Sequence, residues 1–265
     1  MPEPVAGVRI ESRGPVARLV LARPEVLNAL NRPMLAQLIV ALDDLRDRGE
    51  ARVLVLSGEG RCFCSGADMS GGAFDPTAPG YDAGEVLEHY YNPLIERLSS
   101  LPIPVIASVH GAVAGAGCML ALAADFVIAA RSAFFLQAFI NVGLVPDAGS
   151  LWLLPRLVGR SRAMSMMMLG ERIAAETAHQ WGVVHAVVED AEREAVTASL
   201  ASRLAAGPTL AYGLIRRGVR AAAGLGLSDA LALEREAQRT AGASADFAEG
   251  VAAFRGKRSA SFRGE

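Results

Sequence analysis

The stretch from residue 98 to residue 124 contains no Asp, Glu, Lys or Arg, and it constrains the fold more than any other part of the chain. It is long enough to suggest a membrane span, but Pro102, Pro104 and His110 interrupt it and argue against one. We instead predict a buried strand, a glycine-rich turn and a helix, at residues 104–109, 111–117 and 118–124.

The glycine-rich turn at residues 111–117 has the chemistry of an oxyanion site. Glycine and alanine let a ligand approach the main chain, and the first N–H groups of a helix have no partner within it. A second turn of this kind, RCFCSGAD at residues 61–68, follows the apolar run at residues 53–56. Two N–H donors can therefore converge on one carbonyl oxygen. The alternative is that small residues only allow a helix to pack closely on a sheet.

Helical and strand-like segments alternate through most of the chain. Residues 5–10 and 16–21 predict a hairpin, and helical spacing of apolar residues predicts helices at residues 34–48, 85–99, 155–170 and 174–182. The apolar segments at 53–56, 105–109 and 126–129 each follow a predicted helix and are predicted to be buried strands. This repetition of helix and strand indicates an α/β spiral. Residues 70–84 predict a loop. From residue 191 the chain is helical, with breaks near Gly207 and Gly224, and we expect a core at 1–195 and a helical region at 196–265.

Composition limits the possible partners. With 52% hydrophobic and 20% charged residues the chain is not disordered, and a net charge of −2 gives no reason to expect a nucleic acid or a membrane as partner. Three cysteines are too few for a disulfide framework, and the histidine spacing offers no metal site. The N-terminal segment lacks a signal-peptide pattern, so we expect a cytoplasmic enzyme without a metal.

Three motifs resemble those of the enoyl-CoA hydratase/isomerase (crotonase) superfamily. They are GEGRCFCSGAD, HGAVAGAGCMLALAADFVIAA and GLVPDAG, and the similarity extends from Val16 to Phe262. The resemblance implies a crotonase-like ββα spiral with a C-terminal helical trimerisation region. It also implies an acyl-CoA thioester substrate, no cofactor apart from the coenzyme A of that substrate, and a homotrimer or a dimer of trimers. The segments YNPLIERLSSLPIPVI and AFINVGLVPDAGSLWLLPRLVGRSRAM are most similar to members that isomerise a ring-epoxide thioester.

The resemblance also assigns roles to particular residues. It implies that the main-chain N–H groups of Ala67 and Ala116 form the oxyanion hole. Implied contacts with substrate or CoA are Val26, Leu27, Ala29, Ser65, Asp68, Met69, Phe139, Phe254 and Lys257. For the first three, packing against the sheet is the alternative, and for the last two the alternative is an exposed tail. Tyr90 and Tyr91 contact either the acyl group or the core.

The two glutamates that hydratases of this superfamily use are missing from this chain. Their positions hold Met119 and Phe139, which cannot transfer a proton. Asp147, in GLVPDAG, lies where several isomerases of the superfamily carry their acid/base, and an apolar surround would raise its basicity. The alternative is that Asp147 is the N-cap of a helix beginning at Ala148.

Several function classes follow from these residues. The first is an acyl-CoA isomerase that acts on a ring-epoxide or an unsaturated thioester through an enolate. A hydratase-like lyase with weak activity is a second class. A dehalogenase that uses Asp147 as nucleophile is a third, although its family members carry Trp at the position of Phe139. A CoA-binding subunit without catalysis is the non-enzymatic alternative.

Overall fold

The computed structural model describes residues 7–70 and 75–265. Residues 5–6 of the first predicted strand and 71–74 of the predicted loop lie outside the described residues. The predicted hairpin is confirmed, because β1 (Val8–Arg13) pairs antiparallel with β2 (Val16–Leu21). Between residues 75 and 84 the chain forms turns without helix or strand, as predicted.

A six-stranded sheet forms the centre of the molecule, in the order β1-β2-β3-β4-β6-β9. Every pairing after the hairpin is parallel. Its other strands are β3 (Val53–Gly58), β4 (Val105–Val109), β6 (Phe126–Ala130) and β9 (Ala186–Val188). The apolar strands β3 and β4 are buried on both faces. Leu54 and Leu56 face the main core, whereas Val53 and Val55 face a smaller second core.

Nine α-helices cover the described part of the sheet or extend beyond it. They are α1 (Arg32–Arg48), α2 (Asn92–Ser100), α3 (Ala116–Leu122), α4 (Ser150–Leu169), α5 (Ala175–Gln180), α6 (Arg193–Ala205), α7 (Thr209–Ala222), α8 (Leu227–Gly242) and α9 (Ala245–Arg255). Short 3-10 turns lie at Pro24–Val26, Ala138–Val142 and Asp190–Glu192. The α/β architecture expected from the sequence is therefore present, with a helical C-terminal region.

Two predicted helix starts were wrong. Helix α3 begins at Ala116 and not at Cys118, because Gly115 adopts a φ of +53° and reverses the chain directly before it. Helix α4 begins at Ser150 and not at Pro155, because Gly149 in the left-handed region serves as its N-cap residue. The helix is kinked at Gly159, whose φ is +75°.

A second sheet, with three strands, was not predicted from the sequence. It consists of β5 (Ala112–Ala114), β7 (Phe134–Leu136) and β8 (Ile173–Ala174), in the order β5-β7-β8. Strands of two or three residues are too short for a periodic pattern. A bridge between Cys64 and Val113 joins this sheet to the turn at residues 61–68.

The C-terminal region consists of α6 to α9. Helix α6 packs on the second face of the sheet, and the predicted boundary at residue 195 lies inside this helix. The division into two units remains a prediction. The breaks predicted near Gly207 and Gly224 are present. A third break precedes α9, where the Ser244 hydroxyl accepts the N–H of Phe247 at 3.0 Å. Among residues 7–70 and 75–265, no helix is long and apolar enough to cross a membrane.

Asp125 connects the central sheet to the C-terminal region. Its carboxylate accepts the N–H of Val105 at 2.7 Å. It also forms an ion pair with Arg216 of α7 at 2.7 Å. The carboxylate thus fixes the start of β4 against α7.

The loop between β2 and α1 holds the turn at residues 61–68 through one buried amide. Asn28 is 0% exposed and has a φ of +55°, a conformation that Asn tolerates better than most residues. Its Nδ2 donates to the main-chain oxygens of Glu59, Cys62 and Phe63 at 2.9, 2.9 and 3.1 Å. Its Oδ1 accepts the N–H of Arg23. No local sequence pattern predicts this role of Asn28.

We expect Asn28→Ala to lower the free energy of unfolding by about 2–4 kcal/mol, because it leaves several buried main-chain groups without partners. Urea unfolding followed by circular dichroism measures the change. Asn31→Ala is the matched control, because the side chain of Asn31 accepts the N–H of Met34 as an N-cap, and its loss should cost about 1 kcal/mol. Equal losses in the two variants would contradict the role assigned to Asn28.

Candidate active site

The two glycine turns meet at Gly66 and Gly115, which have φ angles of +104° and +53°. A Cβ atom on Gly115 would lie 3.6 Å from the Cα of Gly66 and 4.0 Å from the ring of Phe139. A Cβ atom on Gly66 would lie 3.2 Å from the main-chain oxygen of Ala114. Positive φ and close backbone contact both favour glycine. Glycine at these two positions therefore allows the two turns to lie in contact.

Each of these glycines precedes a residue with a free main-chain donor. Among the described residues, the N–H groups of Ala67 and Ala116 have no hydrogen-bond acceptor. Ala116 is the first residue of α3, where N–H groups lack partners within the helix. Both alanines line one cavity of about 310 Å³. That the two groups bind a single oxyanion remains a prediction.

Asp147 lines the same cavity, in the turn that precedes α4. Its main-chain oxygen accepts the N–H of Ser150 at 2.9 Å and the Ser150 hydroxyl at 2.6 Å. That hydroxyl also lies 3.2 Å from Oε1 of Gln137, and both polar side chains are fully buried. Ser150 and Gln137 therefore fix the backbone of Asp147, a role that the sequence analysis missed.

The side chain of Asp147 is not a helix cap. Helix α4 begins at Ser150 with Gly149 as its N-cap residue, so the alternative of a cap for a helix starting at Ala148 is wrong. Oδ1 of Asp147 is buried without a hydrogen-bond partner among the described residues. Burial raises the pKa of Asp147 from 3.8 to about 6. Phe139, Leu144 and Val145 line the same cavity, as predicted for an apolar surround.

The other predicted contact residues fall into two groups. Ser65, Met69 and Phe139 line the cavity. Asp68 does not line it, because its carboxylate pairs with Arg23 at 2.9 Å. A hydrogen bond from the Ser70 hydroxyl, helped by Arg23, holds the pKa of Asp68 below its usual value.

The remaining contact predictions concern residues outside this cavity. Val26, Leu27 and Ala29 belong to the neighbouring loop, and the main-chain oxygen of Leu27 accepts the N–H of Ser65 at 3.0 Å. Phe254 and Lys257 lie at the end of α9, and the side chain of Phe254 is 85% exposed. Contacts of these five residues with CoA remain predictions.

Several other residues now have defined positions. Tyr91 lines the cavity. Tyr90 does not line the cavity and packs against the hydrophobic core. Met119 is buried in α3, with its sulfur 3.5 Å from Nε2 of Gln137. The methionines of α4 do not line the cavity, and Met166 and Met167 belong to the core. Within the described residues, no group of three or more His, Cys, Asp or Glu could hold a metal ion.

Comparison with known proteins places the chain in a family. The sequence pattern of the enoyl-CoA hydratase/isomerase family matches residues 11–265. A solved enoyl-CoA hydratase structure from Polaromonas sp. JS666 superimposes with a TM-score of 0.88 at 36% identity, covering 97% of this chain and 99% of that one. The chain therefore belongs to the enoyl-CoA hydratase/isomerase (crotonase) family.

Two relatives are similar over nearly the whole chain. The 1,2-epoxyphenylacetyl-CoA isomerase of Escherichia coli K12 is 48% identical over 250 residues, which are 94% of this chain and 95% of the relative. A Rhodobacter capsulatus protein named a probable enoyl-CoA hydratase is 47% identical over 257 residues, which are 97% of this chain and 98% of the relative. The two relatives are named for different reactions, although their sequence identities to this chain are almost equal.

The raised pKa of Asp147 predicts a stability change in Asp147→Asn. Above pH 6 the Asp147 carboxylate is ionised in both the folded and the unfolded chain, and burial of this charge lowers the stability of the folded chain. Below pH 4 the carboxyl group is mostly protonated in both states, so this cost disappears. Two pKa units correspond to about 3 kcal/mol, and burial of the Asn amide offsets part of this. We expect the variant to be more stable by about 1–2 kcal/mol at pH 7.5 and by little at pH 4.

Urea unfolding of both proteins at the two pH values measures this difference. Asp82→Asn is the control, since Asp82 is an exposed loop residue that accepts the N–H of Gly84. A variant that is less stable than the parent at pH 7.5 would show that Asp147 has a stabilising structural partner.

Proposed function

We propose that the protein is an acyl-CoA isomerase in which Asp147 is the catalytic acid/base. The observation that supports this most is a partly buried carboxylate whose Oδ1 has no hydrogen-bond partner among the described residues. It lines one cavity with two N–H donors that are likewise free among those residues. A structural carboxylate would be expected to have hydrogen-bond partners. A carboxylate with a pKa of about 6 suits proton transfer near neutral pH.

In the proposed reaction the thioester oxygen accepts hydrogen bonds from the N–H groups of Ala67 and Ala116. Asp147 then takes a proton from a carbon beside, or conjugated with, the thioester carbonyl. The electron pair of the broken C–H bond moves into an enolate, whose oxygen the two donors stabilise. The carboxylic acid then delivers a proton, either the one removed or one exchanged with solvent, to another carbon. The product is an isomer of the substrate, and Asp147 ends the cycle ionised.

The same residues argue against efficient hydration. Addition of water requires groups that position the water and move its proton. Met119 and Phe139 hold the positions that carry glutamates in hydratases of the superfamily, and neither can transfer a proton. We therefore infer an isomerase with weak hydratase activity. A ring-epoxide thioester, as in the name of the Escherichia coli relative, is the substrate that we favour, with a place in phenylacetate breakdown.

We also propose that the chain forms a homotrimer or a dimer of trimers. Large apolar side chains are exposed on the C-terminal helices, including Ile215, Val219 and Leu227. Exposed apolar side chains can mark a protein interface when they form a common surface. In such an assembly Phe254 and Lys257 would reach the CoA of a neighbouring subunit.

Replacement of Asp147 by Asn tests the proposed function. We expect isomerisation of a 3-enoyl-CoA and of the ring-epoxide thioester to fall by about 100- to 10,000-fold, together with deuterium uptake from heavy water. Wild-type kcat/KM should fall as the pH drops through about 6, because protonated Asp147 is not a base. Mass spectrometry and chromatography of the products measure both effects.

Two controls accompany this variant. Glu88→Gln removes an exposed carboxylate near the cavity and should keep wild-type rates. Hydration of crotonyl-CoA by the wild type should be far slower than isomerisation. Near wild-type isomerisation and deuterium uptake in Asp147→Asn, with normal CoA binding, would refute the proposal, and rapid hydration would refute the isomerase preference.

The oxyanion donors allow a separate test with Ala116→Pro. Proline lacks an N–H and is tolerated at the first position of a helix, which Ala116 occupies in α3. We expect about a 100- to 1000-fold lower rate with an unchanged fold. Ala116→Ser keeps the N–H and should keep most of the activity. Equal activity in the Pro and Ser variants would mean that Ala116 does not donate to the substrate.

A further inference from the structure

Two residues that line the active-site cavity each carry a buried polar atom without a hydrogen-bond partner among the described residues: Oδ1 of Asp147 and the hydroxyl of Tyr91. Tyr91 is 2% exposed, yet it lines the cavity. An unpartnered buried hydroxyl costs stability, and most such groups in proteins have a partner. The reaction proposed above uses Asp147 and leaves the Tyr91 hydroxyl unused.

The backbone around Tyr91 is also unusual. Residues Leu87–Tyr91 form a π-helical turn, in which the N–H of Asn92 donates to the main-chain oxygen of Leu87. This turn leads directly into α2. Such turns are rare and often occur at functional sites. Here Leu87 and Tyr91 of the turn line the cavity, together with Val86 directly before it.

The surroundings of Tyr91 determine what its hydroxyl can do. Burial raises the pKa of Tyr91, and the nearby charge of Asp147 raises it further, so the hydroxyl keeps its proton. It is therefore a fixed neutral hydrogen-bond donor. Most other lining side chains are apolar, with Ser65 and Asp147 as the polar exceptions. A purely hydrocarbon acyl group would leave this donor without an acceptor.

We propose that the Tyr91 hydroxyl donates a hydrogen bond to an ether, epoxide or hydroxyl oxygen of the acyl group, and so selects oxygen-bearing acyl-CoA thioesters over hydrocarbon ones. The inference rests on the proposed function, because it names the acyl class taken by the same site. The hydroxyl proton stays on Tyr91 throughout. Tyr91 thus acts on specificity, and Asp147 moves the proton.

Binding of two isosteric thioesters tests this role. The probes are 2-methoxyphenylacetyl-CoA, whose ether oxygen only accepts hydrogen bonds, and 2-ethylphenylacetyl-CoA, which has a methylene in its place. Neither has an isolated alkene or an epoxide that could be isomerised. Isothermal titration calorimetry should show the wild type binding the methoxy compound about 3- to 10-fold more tightly, as expected for one neutral hydrogen bond.

Tyr91→Phe should bind both compounds with the affinity of the wild type for the ethyl compound. Tyr90→Phe is the matched control, because Tyr90 is the adjacent tyrosine, does not line the cavity and should leave the preference intact. Tyr91→Phe should also unfold at a slightly higher temperature, since it removes a buried hydroxyl without a partner. This increase would show that the variant folds.

Three results would overturn the inference: no preference in the wild type, a preference that persists in Tyr91→Phe, or equal weakening of both ligands in that variant. The last result, with an upward shift of the acid limb of kcat/KM, would mean that Tyr91 donates to Asp147 instead. Because the binding ratio needs no turnover, it is independent of the isomerisation test. A preserved ratio without isomerisation would refute only the proposed function.

Discussion

The chemistry of this site depends on the partly buried carboxylate of Asp147, whose Oδ1 has no hydrogen-bond partner among the described residues. Removing a carboxylate from water without giving it a donor costs stability, and here the cost appears as a pKa of about 6. A turn that merely started α4 would not need this charge, because Gly149 already serves as the N-cap residue. The cost is understandable if the carboxylate exchanges a proton with a bound substrate.

The rest of the fold holds other groups around this carboxylate. Parallel strands β3 and β4 end side by side, so the turns that follow them start as neighbours. Gly66 and Gly115 let those turns touch, and Asn28 ties down the first turn with a single buried amide. Ser150 fixes the backbone of Asp147 from the opposite side. Asn28 and Ser150 do not line the cavity, but their hydrogen bonds hold the lining residues in fixed positions, which keeps the site preorganised.

Features with a strong local signal were predictable from the sequence. The apolar runs located β3, β4 and β6. Ala67, Ala116 and Asp147, which the family resemblance indicated, line one cavity, and their roles there remain predictions. Features that depend on tertiary contacts were not predictable. The three-stranded second sheet has strands too short to show a period, and the roles of Asn28 and Ser150 consist of bonds to distant main-chain atoms. The π-helical turn before α2 has no sequence signature of its own.

Family membership alone leaves the reaction open, because relatives of nearly equal identity are named an isomerase and a probable hydratase. The protonation behaviour of one residue bears on it most directly. Carbon-13 NMR of protein labelled at the Asp carboxyl carbons, with Asp147→Asn to assign the signal, titrates this group in the free protein. The account predicts an apparent pKa of about 6. A value of about 4 or below, typical of a solvated or hydrogen-bonded carboxylate, would contradict it.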